Sequence, residues 1–149
     1  MNTPVNFEIA KLLKEKGFKN ETANYYFEDG EYREGELTGT NGYYGEDYSF
    51  SQSEFLENWN SDWITTKDGS RCFGCSKDRG YFETYSAPTI AEVVMWLYDT
   101  HGIWIYAKRG YGWEFIIETT EILHNDGTFY SPTEAYSDAI LYTLNNFLI

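Results

Sequence analysis

Two cysteines three positions apart, Cys72 and Cys75, form the Cys-x-x-Cys motif of the chain. A closed structural zinc site needs four ligands, which His101 and His124 would have to complete. These spacings match no standard zinc finger, and the motif lies in a polar segment rather than at the start of a helix, as a thioredoxin-like redox pair would. The pattern favours two reduced cysteines near a turn. Cys72, Cys75, His101 and His124 stay as the candidate ligands if a metal is bound.

Other reaction types find little support in the side chains. The chain has no GxSxG motif. Histidine is the usual general base in nucleophilic catalysis, and the chain contains only two histidines. Gly110 and Gly112 form a lone Gly-x-Gly with no following lysine. Among the 24 acidic residues no spacing singles out a pair for carboxylate hydrolysis. We therefore expect no cofactor and no catalytic residue, with a metal-dependent or carboxylate hydrolase as an alternative.

The segment from residue 21 to residue 62 combines acids with aromatic side chains. It holds eleven acidic residues and one basic residue, Arg33. Tyrosine in glycine-bearing loops provides contact area at low entropic cost. Tyr43, Tyr44 and Trp59 are therefore predicted to belong to a binding surface. The alternative is a solvated acidic hairpin whose tyrosines pack on a sheet.

The formal net charge of −13 argues against a surface that binds phosphate backbones or anionic membrane. No apolar run approaches the roughly 20 residues of a membrane helix, and the first residues do not resemble a signal peptide. Two cysteines do not make a secreted disulfide framework. We therefore predict a cytoplasmic protein without direct nucleic-acid binding. The charge suits a cationic partner, or an acidic mimic of nucleic acid that blocks a DNA-binding host enzyme.

One sequence motif, Tyr-Ser followed by Pro-Thr, an acidic residue and apolar residues, occurs twice, in YSAPTIAEVVMWL and YSPTEAYSDAIL. Thr89 with Glu92, and Ser131 with Glu134, have the spacing of capping boxes, and apolar residues follow at helical intervals. The repeat is therefore interpreted as two helix starts and not as a duplicated active site. A stripe of Tyr136, Ile140, Leu144 and Phe147 is predicted for the second of these helices.

Further elements follow from local signals. VNFEIAKLLKEKGF predicts a helix that ends at Gly17, and SQSEFLENWN predicts a short one. Asp-Gly pairs at 29–30, 68–69 and 126–127 predict turns between antiparallel strands. Residues 38–50 are predicted to form an irregular loop. The sequence thus predicts a single α+β domain over residues 1–149. Its antiparallel sheet of hairpins and a meander carries N-terminal, central and C-terminal helices.

The strands on either side of 109–110 have a predictable register. An odd number of connecting residues gives one apolar face, which carries Ile103, Ile105, Ala107, Trp113, Phe115 and Ile117. Trp104, Tyr106 and Glu114 then lie on the opposite face as further members of the predicted binding surface, and Lys108 can approach Glu114. Part of that face should be covered by other elements or by a ligand, and its exposure would indicate a homodimer.

Three pieces of the chain, EIAKLLKEKGF, YSAPTIAEVVMWL with HGIWI, and SPTEAYSDAILYTLNNFL, resemble a family of small uncharacterised proteins encoded by phages and prophages of gut bacteria. The similar positions belong to helices and their caps, and the family brings no known reaction or functional residues. The resemblance implies a phage accessory protein in the bacterial host cytoplasm. We therefore expect a non-enzymatic protein that binds a host protein or a small ligand through an acidic, aromatic-rich surface.

Overall fold

The computed structural model describes residues 1–20, 22–27, 29–34, 63–66, 71–73, 81–121 and 123–148. The chain divides into two compact units. One comprises Asn6–Ala87 and is called the five-stranded unit; the other comprises Met1–Val5 with Pro88–Ile149 and is called the three-stranded unit. The expectation of a single domain stays a prediction.

The five-stranded unit begins with helix α1 (Phe7–Glu15). Its antiparallel strands are β1 (Asn24–Phe27), β2 (Tyr32–Glu34), β3 (Trp63–Thr66), β4 (Arg71–Phe73) and β5 (Tyr81–Ser86). Their order is β2-β1-β5-β3-β4, because β5 pairs with β1 through residues 84–86 and with β3 through residues 81–83. The hairpin predicted at 29–30 is confirmed: β1 pairs antiparallel with β2, and Gly30 has a φ of 91°.

Helix α1 packs on β5, and its ends have clear physical causes. The Asn6 side chain accepts a hydrogen bond from the Ile9 N–H and so caps the first turn. Gly17 adopts a φ of 89°, which ends the helix where the sequence predicted, and the Phe18 N–H donates to the Leu13 carbonyl. Phe18 is fully buried, as the apolar residue after such a cap usually is.

The three-stranded unit contains helix α2 (Ile90–His101), strands β6 (Trp104–Arg109), β7 (Trp113–Glu118) and β8 (Leu123–Phe129), and helix α3 (Pro132–Asn146). The antiparallel sheet has the order β6-β7-β8. Helix α3 packs against all three strands, and α2 packs against β6 and α3. The fold is therefore α+β, with N-terminal, central and C-terminal helices packed on antiparallel sheets, as predicted.

Both copies of the repeated motif begin helices. The Thr89 hydroxyl accepts from the Glu92 N–H at 3.2 Å, and the Glu92 carboxylate accepts from the Thr89 N–H at 2.7 Å, which is a complete capping box. Ser131 caps α3 in the same way, but the Glu134 carboxylate accepts from the N–H of Tyr130 instead of Ser131. The interpretation of the repeat as two helix starts is confirmed.

The buried face of α3 differs from the predicted stripe. Ile140 and Leu144 are buried, whereas Tyr136 and Phe147 are half-buried. The remaining buried positions of the helix are Ala135, Ala139 and Thr143. Small side chains let the helix axis approach the sheet closely, and they carry little apolar signal in a sequence pattern.

The third strand of the meander starts earlier than predicted. Asp126 and Gly127 lie inside β8 and not in a turn before it. Trp113 pairs with Phe129 and Phe115 with Asp126, so β8 has one extra residue here, and Gly127 adopts a φ of 98°. Gly127 and Thr128 therefore form a β-bulge opposite Glu114, a second structure that glycine at positive φ supports.

Several predictions lie outside the described residues. They are the loop at 38–50, the helix from SQSEFLENWN and the turn at 68–69, although β3 and β4 on either side of that turn pair antiparallel. In the part of the chain that the structure describes, no helix has the length and apolar character needed to cross a membrane.

The two N-caps provide a first prediction. Thr89→Ala and Ser131→Ala should each lower the free energy of unfolding by about 1 kcal/mol, because each leaves a helix N–H without its acceptor. Chemical denaturation measures the change. Thr89→Ser keeps the acceptor and is the matched control, which should retain most of the stability. If both alanine variants are as stable as the wild type, the caps do not start these helices.

Gly127 provides a second prediction. A Cβ atom there would collide with the Phe129 ring, and its φ of 98° disfavours any other residue. Gly127→Ala should lower the free energy of unfolding by about 2–4 kcal/mol. Gly17→Ala, also at positive φ but with nothing within 4 Å of the added Cβ, should cost only about 1 kcal/mol. Equal losses in denaturant titrations would show that Phe129 moves aside without cost.

Candidate functional site

The register of β6 and β7 separates the two faces of the three-stranded sheet. Arg109 pairs with Trp113, so three residues connect the strands, which confirms the predicted odd number. Ile105, Phe115 and Ile117 are buried on the inner face, and the Phe115 ring lies 6.5 Å from that of Tyr142 on α3. The opposite face of these two strands, called the outer face, carries Trp104, Tyr106, Lys108, Glu114, Ile116 and Glu118.

An exposed aromatic pair stands at one end of the outer face. Trp104 is 38% exposed and meets the Tyr98 ring of α2 edge-on, with centroids 5.4 Å apart. Tyr98 is itself 52% exposed, and Met95, one helical turn before it, is also exposed. Large apolar side chains that adjoin one another on a surface are typical of contact sites. This corner of the unit is therefore an exposed aromatic surface.

A carboxylate lies directly beside that pair. Glu118 is the cross-strand partner of Trp104, and its Oε1 accepts a hydrogen bond of 3.0 Å from the Tyr106 hydroxyl. The hydrogen bond to Glu118, partial burial and the negative charge of Glu118 together raise the pKa of Tyr106. The Tyr106 hydroxyl is therefore a donor that fixes the carboxylate next to the Trp104 ring.

The other end of the outer face holds the opposite charges that the sequence predicted. Lys108 and Glu114 are cross-strand partners. Neither Glu114 nor Glu118 forms an ion pair within 4.0 Å with any cation among the described residues. Ile116 separates the two acids along β7. The outer face thus combines aromatic rings with two carboxylates and one lysine.

The predicted metal ligands lie in different elements. His101 is the last residue of α2, and its ring meets that of Trp96 at 4.9 Å. His124 lies inside β8, and its ring stacks on that of Tyr142 with centroids 4.1 Å apart. Cys72 belongs to β4, and Cys75 lies outside the described residues. No group of three His, Cys, Asp or Glu residues suited to a metal occurs in the described ranges.

His124 has an unusual environment for a histidine. Its Nε2 is buried and has no hydrogen-bond partner among the described residues, and its ring contacts both Tyr142 and Phe115, with centroid distances of 4.1 Å and 6.0 Å. Its contacts are those of an aromatic residue in a core. Stacking on Tyr142 of α3 accounts for its position.

The structure unites three of the six residues predicted for the binding surface. Trp104, Tyr106 and Glu114 share the outer face. Tyr43, Tyr44 and Trp59 lie outside the described residues, as do most acids of the segment 21–62. Sequence reasoning missed Tyr98 and Met95, whereas the predicted register already places Glu118 on the face of Trp104. The signal was present in α2, where Met95 and Tyr98 are apolar but fall off the buried stripe of Val94 and Leu97.

No protein-family model, no curated protein and no solved structure matches this chain.

The bond between Tyr106 and Glu118 provides a third prediction. Glu118→Gln removes the charged acceptor, so the pKa of Tyr106 should fall toward 10.0. NMR titration of the tyrosine ring carbons measures it. The pKa values of Tyr26 and Tyr32, which are raised by burial and by neighbouring groups of their own unit, should not change.

The same shift has a consequence for stability. A tyrosine whose pKa is raised by folding contributes stability that is present below about pH 10 and is lost as the pH rises through the folded value. Tyr106→Phe should therefore lose less stability than the wild type over that alkaline range. An unchanged Tyr106 titration in Glu118→Gln would show that the hydrogen bond does not form in solution.

Proposed function

We propose that this protein is a non-enzymatic binding protein that engages its partner through the outer face and the adjoining Tyr98. The observation that supports it most directly is the exposed Trp104 beside Glu118 and Tyr106. Tryptophan and tyrosine are enriched at protein interfaces because they combine apolar area with a polar group. The partner is a host protein or a small ligand.

The aromatic residues of the outer face do not serve the core of their unit. That core is formed on the inner face, where Ile105, Phe115 and Ile117 pack with α3. Trp104 lies outside this contact and leaves over a third of its surface open. The part of the indole that folding leaves in water would gain apolar contact only by binding. A role in recognition accounts for it.

The biological setting rests on the resemblance and on charge. Similarity of the helix and cap segments to phage and prophage proteins supports an accessory role in the cytoplasm of a bacterial host. The net charge of −13 supports a partner other than nucleic acid or anionic membrane. A protein of the bacterial host is therefore the partner that these observations favour.

Two other proposals have less support. An acidic mimic of nucleic acid requires the carboxylates of residues 21–62 on one surface, and of these only Asp29, Glu31 and Glu34 are described, with Glu31 paired to Arg33 at 3.4 Å. A metal-dependent or carboxylate hydrolase requires converging ligands or a pair of acids. Glu114 and Glu118, the two acids of the outer face, are separated along β7 by Ile116.

The binding proposal gives a fourth prediction. Immobilised wild-type protein should retain a partner from a gut-bacterial lysate, or a metabolite panel should contain a compound that raises its Tm. Trp104→Thr, which keeps a residue suited to a strand, should weaken that binding at least about fivefold, as truncation of a buried interface tryptophan does.

The matched control is Tyr130→Thr, since Tyr130 is 98% exposed but lies between β8 and α3, off the outer face. It should bind as the wild type does. Sedimentation at several concentrations tests the homodimer, which would raise the mass of the wild type and not of Trp104→Thr. Partner retention that is equal in Trp104→Thr and the wild type would contradict the proposal.

A further inference from the structure

We infer that the outer face recognises a basic peptide segment of a protein partner and holds an arginine side chain between the Trp104 ring and the Glu118 carboxylate. The inference rests on the proposed function and specifies the chemistry of the partner. It follows from the pairing, exposure and charge of these residues.

Trp104 and Glu118 have the relative placement that an arginine needs. They are cross-strand partners, so their Cβ atoms are about 4.5–5.5 Å apart on the same face. A guanidinium group is planar: one face stacks on an indole while its edge donates to a carboxylate. Lysine has a compact charge that meets either group less completely. Arginine is therefore the side chain that uses both at once.

Neighbouring side chains position both halves of this site. The Tyr106 hydroxyl donates to Oε1 of Glu118, which leaves Oε2 as an acceptor and restricts the rotation of the side chain. The Tyr98 ring stands edge-on to Trp104 at an interplanar angle of 75° and limits the movement of the indole. Tyr106 and Tyr98 are positioning residues. Their contacts lower the entropy that the site loses on binding.

The chain already holds cations against aromatic rings in the same manner. In the five-stranded unit the Arg33 guanidinium lies 4.1 Å from the Phe27 ring centroid. Lys11 lies 4.7 Å from Phe7, and Lys14 lies 4.9 Å from Tyr85. Tryptophan attracts a cation more strongly than phenylalanine or tyrosine does. We expect a partner arginine at a comparable distance from Trp104.

Charge along β7 favours an extended, basic segment over a small ligand. Glu114 and Glu118 are four residues apart on one strand face, a separation of about 13 Å. A single small cation cannot contact both, whereas a peptide that crosses the face can. Lys108 offsets part of the charge of Glu114, so the Trp104 end is the stronger site. The net charge of −13 attracts such a segment from a distance.

The fifth prediction uses three capped Gly-Ser peptides of equal length, which carry three arginines, three citrullines or three lysines. Citrulline has the shape of arginine without its charge. The arginine peptide should shift the Trp104 indole N–H in NMR spectra of the full chain and bind more tightly than the other two. Trp104→Leu should weaken it about two- to fivefold, and Glu118→Gln up to about fivefold.

Two variants separate this site from general attraction to an acidic protein. Asp138→Asn removes one charge from an exposed position of α3, the helix that covers the inner face, and should leave arginine-peptide binding unchanged. Tyr106→Phe changes no charge but removes the donor that positions the Glu118 carboxylate, and should weaken arginine-peptide binding about twofold. Equal losses in Glu118→Gln and Asp138→Asn, or equal binding of the arginine and citrulline peptides, would overturn the inference.

Failure of the arginine inference can be distinguished from failure of the proposed binding function. If Trp104→Thr abolishes retention of the lysate partner while no peptide shifts the Trp104 resonance, the outer face binds a partner but not through arginine. If a second copy of the chain is the occupant, sedimentation shows a dimer and the arginine peptide does not compete with it. Either result overturns the basic-segment inference and leaves the binding face in place.

Discussion

The three-residue connection between β6 and β7 is the constraint on which the outer face depends. Arg109 pairs with Trp113, and within the connection the Gly110 N–H donates to the Gly112 carbonyl at 2.7 Å. Side chains alternate between sheet faces, so a connection one residue shorter would exchange the two faces of β7 relative to β6. Glutamates would then lie with Ile105 beneath α3, where an uncompensated charge is costly. The packing of α3 and the exposure of Trp104 are therefore two results of one register. The core selects the register, and the register leaves Trp104, Tyr106 and Glu118 together on the other side.

Helix α2, which supplies Tyr98, is held by an equally local set of contacts. Its first N–H groups all have acceptors: that of Ile90 donates to the Thr3 carbonyl, that of Ala91 to the Met1 carbonyl and that of Glu92 to the Thr89 hydroxyl. At the other end Gly102 adopts a φ of 68°, and the Ile103 N–H donates to the Leu97 carbonyl, which returns the chain toward β6. Only two residues separate His101 from Trp104, so the position of Tyr98 beside Trp104 is largely fixed by this short turn.

The sequence predicted the elements whose signals are local and left out those that depend on packing. Caps, the Gly17 stop, the hairpin at 29–30 and the β6–β7 register all follow from a few adjacent residues, and all are confirmed. The bulge at Gly127 could not be predicted, because an Asp-Gly pair supports a turn and a bulge equally until the neighbouring strand is known. Ala135 and Ala139 were missed because a helix surface of small residues has weak periodicity. Of the site, the residues on β6 and β7 could be predicted from alternation alone. The exposure of Tyr98 could be predicted from the stripe of α2, but its contact with Trp104 could not, since that contact requires the angle between α2 and the sheet.

The charge of the chain bears on which partner suits the outer face. β6 is an edge strand, and an edge with exposed aromatic residues is a template for pairing with another copy. Here the second half of β6 carries Lys108 and Arg109, and charged residues on an edge oppose such pairing. Two copies with a net charge of −13 also repel each other over distances that the Debye length sets, about 8 Å at physiological salt. The same charge attracts a cationic surface. The negative net charge that opposes association of the protein with itself therefore favours the basic partner that we propose, and Trp104 is exposed beside the Glu118 carboxylate that would supply the matching charge.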